Sequence, residues 1–272
     1  MSQKNFDAWS FDNSVSFYVN DRGSVDDLYD SERTVLLPIM SQVRSILDVG
    51  CAVGNFYDIF RTLNPDISYV GIDSSSGMID EARKRRPDLE FHVSDGGPLQ
   101  FDDNAFDLVF CTGVLNHNPD YQEMITDQLR VAKKFVIADM PRLVTQPHIF
   151  NAENSYMLLN TRFPDGSEGI SEDATKVPYV LANAEEAFSG IVKNNAGNIK
   201  AIAARGYLGS PHTDSVTIPI RPVIFTVTLL AKGNQFENYW LDMPDEALPK
   251  LNSIFTDAGA SSATTIEEVV KN

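Results

Sequence analysis

The sequence predicts a doubly wound α/β fold: a seven-stranded sheet with helices on both faces, an N-terminal helical cap and a lid insertion after the fifth strand. Three observations carry this expectation. From Ser45 onward, short β-rich runs alternate with segments of helical periodicity, a pattern that suits an α/β sheet rather than a sandwich or a bundle. A glycine turn joins the first run to its helix, and a carboxylate closes the second run. At 272 residues and 43% hydrophobic composition, the chain is long and apolar enough to bury a sizeable core.

The elements follow in order. Ile46 to Val49 is the first strand, and Phe56, Ile59, Phe60 and Leu63 share one helical face before Pro65 stops the helix. Tyr69 to Ile72 is the second strand. Ser74 and Ser75 can cap a helix carrying Met78, Ile79 and Ala82, which Pro87 ends. Leu89 to Val93 and Phe106 to Cys111 read as strands three and four. Pro119 suits the first position of a helix that buries Tyr121, Ile125, Leu129 and Ala132. Phe135 to Met140 is strand five. From Pro141 to Ala182 the rhythm breaks, although Phe150, Tyr156, Phe163 and Tyr179 lie there, and a loop of that length suggests a functional lid. Asn183 then caps a helix with Glu186 three residues on, and Ile199 to Ala204 and Val223 to Ala231 complete the sheet. The expected organisation is a cap segment over 1–42, a domain over 43–232 with its lid at 141–182, and a C-terminal extension over 233–272.

Charge narrows the partners. With 22 Lys and Arg against 38 Asp and Glu, the net charge is −16, so the surface repels polyanions such as nucleic acid and anionic membranes. Cys51 and Cys111 cannot make a disulfide framework, and no Cys and His spacing suggests a metal site. The longest apolar run, Val223 to Ala231, is short of the roughly 20 residues that span a bilayer, and the start lacks a signal pattern. A cytoplasmic protein acting on a small molecule is expected, as a monomer or homodimer.

The strongest local signal is Leu47-Asp48-Val49-Gly50-Cys51-Ala52-Val53-Gly54, between the first strand and its helix. Glycines there let the backbone approach a ligand, beside the free N–H groups of a helix start. Nineteen residues after Gly54, Asp73 ends the second strand, where a carboxylate can accept from both ribose hydroxyls of a nucleoside. A dinucleotide fingerprint requires G-x-G-x-x-G, but Ala52 occupies its second position and no third glycine follows, which weakens an NAD-dependent oxidoreductase reading. Asp48 would repel a pyrophosphate and attract a sulfonium or ammonium. Asp95, within Val93-Ser94-Asp95-Gly96, is in reach of an adenine amino group.

With these motifs the sequence resembles the class I S-adenosylmethionine-dependent methyltransferases, in particular small-molecule members whose first motif reads D-x-G-C-x-x-G. The resemblance covers Val43 to Leu143 closely and extends by element order to Lys232. It implies S-adenosylmethionine as cofactor and a Rossmann-like sheet. It also implies cofactor contacts from Asp48, Gly50, Cys51 and Gly54, from Asp73, Ser74 and Met78, and from Ser94, Asp95 and Gly96. Within Phe106 to His117, which matches the fourth strand and its functional loop, the backbone at Thr112 pairs with that at Gly50 to hold the methionine part. His117 falls where the acceptor meets the methyl group, as a candidate catalytic base or as a residue that shapes the pocket. The usual K-P-G-G turn before strand five is replaced by Ala132-Lys133-Lys134. Asn118-Pro119-Asp120-Tyr121 lies too far beyond strand four, and has an acid in its turn, to be a nucleobase-methylation string.

Each assignment has a plainer rival. Gly50 and Gly54 can serve strand-to-helix packing, and Asp73 can be a helix cap. His92 reads as a structural or surface residue, and Arg83-Lys84-Arg85-Arg86 as a solvated helix end. His148 and His212 lie in segments that could fold over the cleft, as could Trp9, Phe11, Phe17 and Tyr18. Arg142 and Arg162 would suit a polar acceptor such as a sugar or natural-product intermediate. A noncatalytic S-adenosylmethionine-binding module would carry the same cofactor motifs.

Overall fold

In the computed structural model, residues 9, 12–19, 21–147, 151, 153–159, 174–211 and 216–271 are described. His148, His212, Arg162, Phe11, Phe150 and Phe163 lie outside them. The strands, in chain order, are β1 (Ser45–Val49), β2 (Ser68–Asp73), β3 (Glu90–Val93), β4 (Phe106–Cys111), β5 (Ala132–Asp139), β6 (Arg142–Val144) and β7 (Tyr156–Leu159). Then follow β8 (Thr175–Pro178), β9 (Leu181–Asn183), β10 (Ile199–Gly209), β11 (Val216–Thr217), β12 (Val223–Lys232), β13 (Asn238–Asp242) and β14 (Ser261–Ser262). The helices are α1 (Asp12–Val19), α2 (Asp30–Leu36), α3 (Phe56–Leu63), α4 (Ser76–Arg85), α5 (Tyr121–Val131), α6 (Ala184–Asn195), α7 (Leu248–Asp257) and α8 (Ile266–Val270).

The main sheet runs β14-β13-β10-β12-β5-β4-β1-β2-β3. Its seven expected strands are β3-β2-β1-β4-β5-β12-β10, with β12 antiparallel to both β5 and β10. The order reverses between β1 and β4, and this switch point opens a crevice at the carboxyl ends of the strands. β1 and β4 are buried along nearly their whole length because helices cover both faces. On one face Leu47 and Val109 pack with Ile125 and Leu129 of α5, Phe188 and Ile191 of α6 and Phe255 of α7. On the other, Ile46 and Phe110 pack with Leu36 of α2, Phe60 of α3, Ile79 of α4 and Val269 of α8. Burying a side chain such as Phe60 or Phe188 fully contributes about 1.5–3 kcal/mol.

Helix ends follow local chemistry. The Ser75 hydroxyl accepts from the Met78 N–H at 3.2 Å to cap α4, and the Asn183 side chain accepts from the Glu186 N–H at 3.0 Å to cap α6. α5 starts at Tyr121 rather than at Pro119, which stays in the preceding turn where Asn118 Oδ1 accepts from the Asp120 N–H at 2.9 Å. Val131 ends α5 and Ala132 begins β5, so no turn separates them, and the absent K-P-G-G is thereby explained.

Two features differ from the sequence expectation. The C-terminal extension continues the sheet, since β13 pairs in parallel with β10 and β14 pairs with β13. The lid contributes short strands: β6 pairs with β9 and β12, while β11, β7 and β8 form a separate three-stranded sheet. Strands of two to five residues are too short to display a period. The basic run is a solvated helix end at Arg83, Lys84 and Arg85, which are exposed, while Arg86 is largely covered, and three of the four side chains also tie neighbouring segments together. Arg83 donates to the Phe91 carbonyl at 2.7 Å, Arg85 to Asn55 Oδ1 at 2.6 Å, and Arg86 to Asp58 and the Val53 carbonyl, while Lys84 pairs with Glu81. His92 is exposed, with Nε2 2.6 Å from Glu90 Oε1. Among the described residues no helix is long and apolar enough to cross a membrane.

Candidate active site

At the switch point lies a cavity of about 810 Å³, floored by the ends of β1, β2 and β4 and covered by α1 and the segment after it. Its base is the glycine turn after β1. The N–H groups of Gly50 and Cys51 both donate to the Ile72 carbonyl, at 2.8 and 3.0 Å, which fastens the turn to β2. Gly50 has φ +78°, and a Cβ there would lie 2.1 Å from Val114 Cγ2. Glycine therefore lets the loop after β4 close on the turn. Ala52 takes the left-handed region at φ 47°, a conformation that carries strain of order 1 kcal/mol for a residue with a Cβ. Its N–H donates to Asp73 Oδ2 at 2.9 Å, which helps to hold it there.

Asp73 also accepts from the Ser75 N–H, at 2.8 Å on Oδ1. Burial raises its pKa, opposed by the N–H groups of Ser75, Ala52 and Ser74. Of its roughly four acceptor positions, these backbone groups leave capacity for a ligand. Ser74 and Met78 line the cavity with it, as do Ser94, Asp95, Gly96 and Thr112. The Ser94 N–H donates to the Asp73 carbonyl at 2.8 Å, and Asp95 Oδ1 accepts from the Gly97 N–H at 2.9 Å. Gly113, φ +75°, has nothing within 4 Å of where a Cβ would sit, so the floor beside Thr112 is open.

Asp48 and Cys51 line the cavity from below and are almost fully buried. The Tyr69 hydroxyl donates to Asp48 Oδ2 at 2.7 Å, yet burial pushes the Asp48 carboxyl up to about 7, with Asp73 adding to the shift. Burial likewise pushes the Cys51 thiol upward, with Asp48 and Asp73 contributing. Gly54 is the expected residue that does not line the cavity. Its φ is +78° and a Cβ would meet the Phe91 ring at 2.9 Å, so close packing against that ring excludes a side chain there.

His117 lines the cavity, but both ring nitrogens are engaged. Nδ1 lies 2.7 Å from the Pro178 carbonyl, which can only accept, so Nδ1 carries the proton. Nε2, 2.9 Å from Asn116 Nδ2, then accepts from that amide. Burial lowers the imidazole pKa to about 4, so the ring is neutral. Trp9 and Tyr179 meet it edge-on, with centroids 5.0 and 5.5 Å away.

The sequence reading missed Arg22. Its Nη1 donates to both Glu32 oxygens, at 2.7 and 2.6 Å, and the guanidinium lies over the rings of Tyr29 and Phe56 at 4.5 and 5.0 Å. An arginine in an irregular segment has no periodicity to reveal it, and only the glutamate in the first turn of α2 hinted at a partner. Asn55, also missed, donates to the Tyr18 carbonyl at 2.7 Å and so holds α1 over the turn. Burial, with help from Asp73 and Asp21, pushes the Tyr18 hydroxyl to about 12. Arg142 is drawn away from the cavity that it was expected to serve. It is buried, donates to the Tyr179 hydroxyl at 2.9 Å and to Asp139 at 3.4 Å, and lies over the Phe225 ring at 4.2 Å.

An α/β sheet with a switch-point cavity, a left-handed glycine turn and an acid at the end of the second strand defines a nucleoside-binding protein of the Rossmann-like class. A family model described as "Methyltransferase domain" matches residues 41–193, more than half of the chain, and the chain belongs to that family of class I S-adenosylmethionine-dependent methyltransferases. A trans-aconitate 2-methyltransferase of Variovorax paradoxus (strain S110) is 31% identical over 104 residues, which span 36% of this chain and 40% of that protein. The chain thus matches less than half the length of that curated relative. Among solved structures, an S-adenosylmethionine-dependent methyltransferase from Methanosarcina mazei has TM-score 0.50 at 18% identity, covering 76% of this chain and 99% of its own. The [4+2]-cyclase SpnF has TM-score 0.51 at 14% identity, covering 86% and 97%. These two likenesses concern the fold.

The residues present fit the family's cofactor. Asp73 has free acceptor positions, the floor at Gly113 is open, and carboxylates face a ligand whose sulfonium and ammonium are positive. Among the described residues no group of three or more His, Cys, Asp or Glu is placed to hold a metal ion.

Proposed function

We propose that the chain transfers a methyl group from S-adenosylmethionine to an oxygen or nitrogen of a small molecule. The observation that carries this reading is Asp73, fixed by two backbone N–H groups at the cavity floor with acceptor capacity to spare. When bound, S-adenosylmethionine supplies an electrophilic methyl on a sulfonium, whose leaving group departs neutral. Asp73 would accept from the ribose hydroxyls and Asp95 from the adenine amino group, and the backbone at Gly50 and Thr112 would hold the methionine part. Asp48 lies beneath the turn as a counter-charge. Trp9, Tyr18 and Phe56 exclude water, and positioning in a dry cleft supplies most of the acceleration. His117 acts as a clasp between the loop after β4 and the lid strand β8 rather than as a base, because Asn116 occupies its only lone pair.

Calorimetric titration with S-adenosylmethionine, S-adenosylhomocysteine and NAD tests the reading, with binding of the first two and not the third expected. Asp73→Ala removes charge-assisted hydrogen bonds of about 1.5–3 kcal/mol and should weaken cofactor binding about 10- to 150-fold. An unchanged isotherm would sink the assignment. Binding without transfer would indicate a noncatalytic module.

A further inference from the structure

The charged groups of the cavity are, among the described residues, mostly acidic. Among the described residues, seven carboxylates line it and one arginine does. S-adenosylmethionine carries two positive groups and one carboxylate, and Asp48, Asp73 and Asp95 are accounted for by it. Asp127 is taken by Arg130, 2.7 Å away. Asp21, Asp120 and Glu123 remain, and the last two have no ion-pair partner among the described residues. Arg22 does not offset them. Both of its short bonds go to Glu32, and Asp21 approaches its Nε only to 3.9 Å. The same cavity is lined by the rings of Trp9, Phe17, Tyr18, Tyr29 and Phe56. Aromatic faces beside carboxylates attract an organic cation and give an anion nothing to bind.

The locked imidazole supplies an independent constraint. An aliphatic alcohol must lose a proton as it attacks, and the histidine lining the cavity holds its lone pair against Asn116. A carboxylate is in general too weak a base to take that proton from an alcohol. A carboxylate acceptor needs no base but meets the acidic wall. An amine avoids both obstacles, because its cation is drawn in and an ammonium, a far stronger acid than an alcohol, can give its proton to a cavity carboxylate.

We propose, resting on the methyltransferase reading, that the acceptor is an amine that enters the cavity as its ammonium and is methylated on nitrogen. The ammonium first gives its proton to a cavity carboxylate, Asp120 or Glu123, which passes it to solvent. The nitrogen lone pair then forms the N–CH₃ bond while the methyl–sulfur bond breaks with its electron pair left on sulfur. The products are a methylated ammonium and neutral S-adenosylhomocysteine. This acceptor differs in charge from the tricarboxylate named in the Variovorax relative.

The test uses the full chain with methyl-labelled S-adenosylmethionine. Phenethylamine, 2-phenylethanol, trans-aconitate and a small-molecule extract of the expressing cells are offered separately. Label that is stable to alkali and retained on a cation exchanger supports the proposal. Alkali-labile label, which marks a methyl ester, overturns it, and so does label in a neutral ether. Cofactor binding with no label in any amine fraction also overturns it. Failure to bind S-adenosylmethionine by calorimetry instead defeats the underlying methyltransferase reading. With the labelled amine in hand, Asp21→Asn and Glu123→Gln should each raise its KM about fivefold, the effect of one charge pair near 4 Å in water, at unchanged cofactor affinity. Unchanged KM in both variants would refute selection by the acidic wall.

Discussion

Asp48→Asn should make the protein more stable, increasingly so as pH rises. The native carboxyl is 3% exposed and accepts one hydrogen bond, from Tyr69, while Asp73 and Cys51 face the same pocket and bring no positive charge. Its pKa is about 7 in the fold, against about 3.9 in an unfolded chain. Between those values the folded state holds a proton that the unfolded state has released. Stability therefore falls as pH rises through that window and levels off above the folded value. Integration gives a penalty of about 1.5 kcal/mol at pH 5 and about 4 kcal/mol at pH 8. Asparagine removes it while its Oδ1 can still accept from Tyr69. Urea denaturation of the cofactor-free chain and the variant at both pH values measures the difference. A variant that is no more stable at pH 8 than at pH 5, relative to the parent, would refute the reasoning. The gain in stability should come with weaker binding of S-adenosylmethionine, and with less effect on S-adenosylhomocysteine, whose sulfur is neutral.

Three further outcomes are expected. Gly50→Ala places a Cβ 2.1 Å from Val114 Cγ2 at a left-handed position, so it should lose about 1–2 kcal/mol from backbone strain alone and abolish cofactor binding; adding Val114→Ala should restore part of the binding, read by calorimetry. The pH profile of turnover should show no inflection from His117 between pH 5 and 8, since its pKa is lowered to about 4, and His117→Gln should retain more rate than His117→Ala if donation to the Pro178 carbonyl is what matters. Arg142→Met leaves Asp139 buried without its cation and should destabilise the chain by about 3–5 kcal/mol in denaturant melts.

The half of the sheet that binds cofactor was legible because its signals are local. The turn after β1 and the acid at the end of β2 need only a few residues each to display their chemistry, and α3, α4 and α6 carry full apolar stripes. The C-terminal strands were not legible. β13 and β14 are five and two residues long; β13 is a strand because β10, whose Ala201 lies opposite Asn238, offers it an edge, and β14 because β13 does so in turn. The state of His117 was equally hidden. Its position after β4 suggested a base, but its protonation depends on a carbonyl at Pro178, 61 residues away, and on the neighbouring amide of Asn116. Arg142 looked available for a substrate until the fold supplied Asp139, Tyr179 and Phe225 around it. Gly54 takes the left-handed conformation its place in the turn suggested, and the Phe91 ring that packs against it lies 37 residues on, out of reach of any local signal.

The place of β12 in the sheet has a consequence for synthesis. β5 ends at Asp139, yet its outer neighbour β12 is complete only at Lys232. At translation rates of about 5–20 residues per second, one apolar edge of the nascent sheet therefore waits about 5–20 seconds for its antiparallel partner. During that interval the strands from β1 to β5 can pair among themselves, but β5 stays open to pairing with another chain. Yield in rapid overexpression should accordingly depend on chaperones that shield this edge, even for variants whose finished fold is as stable as the parent.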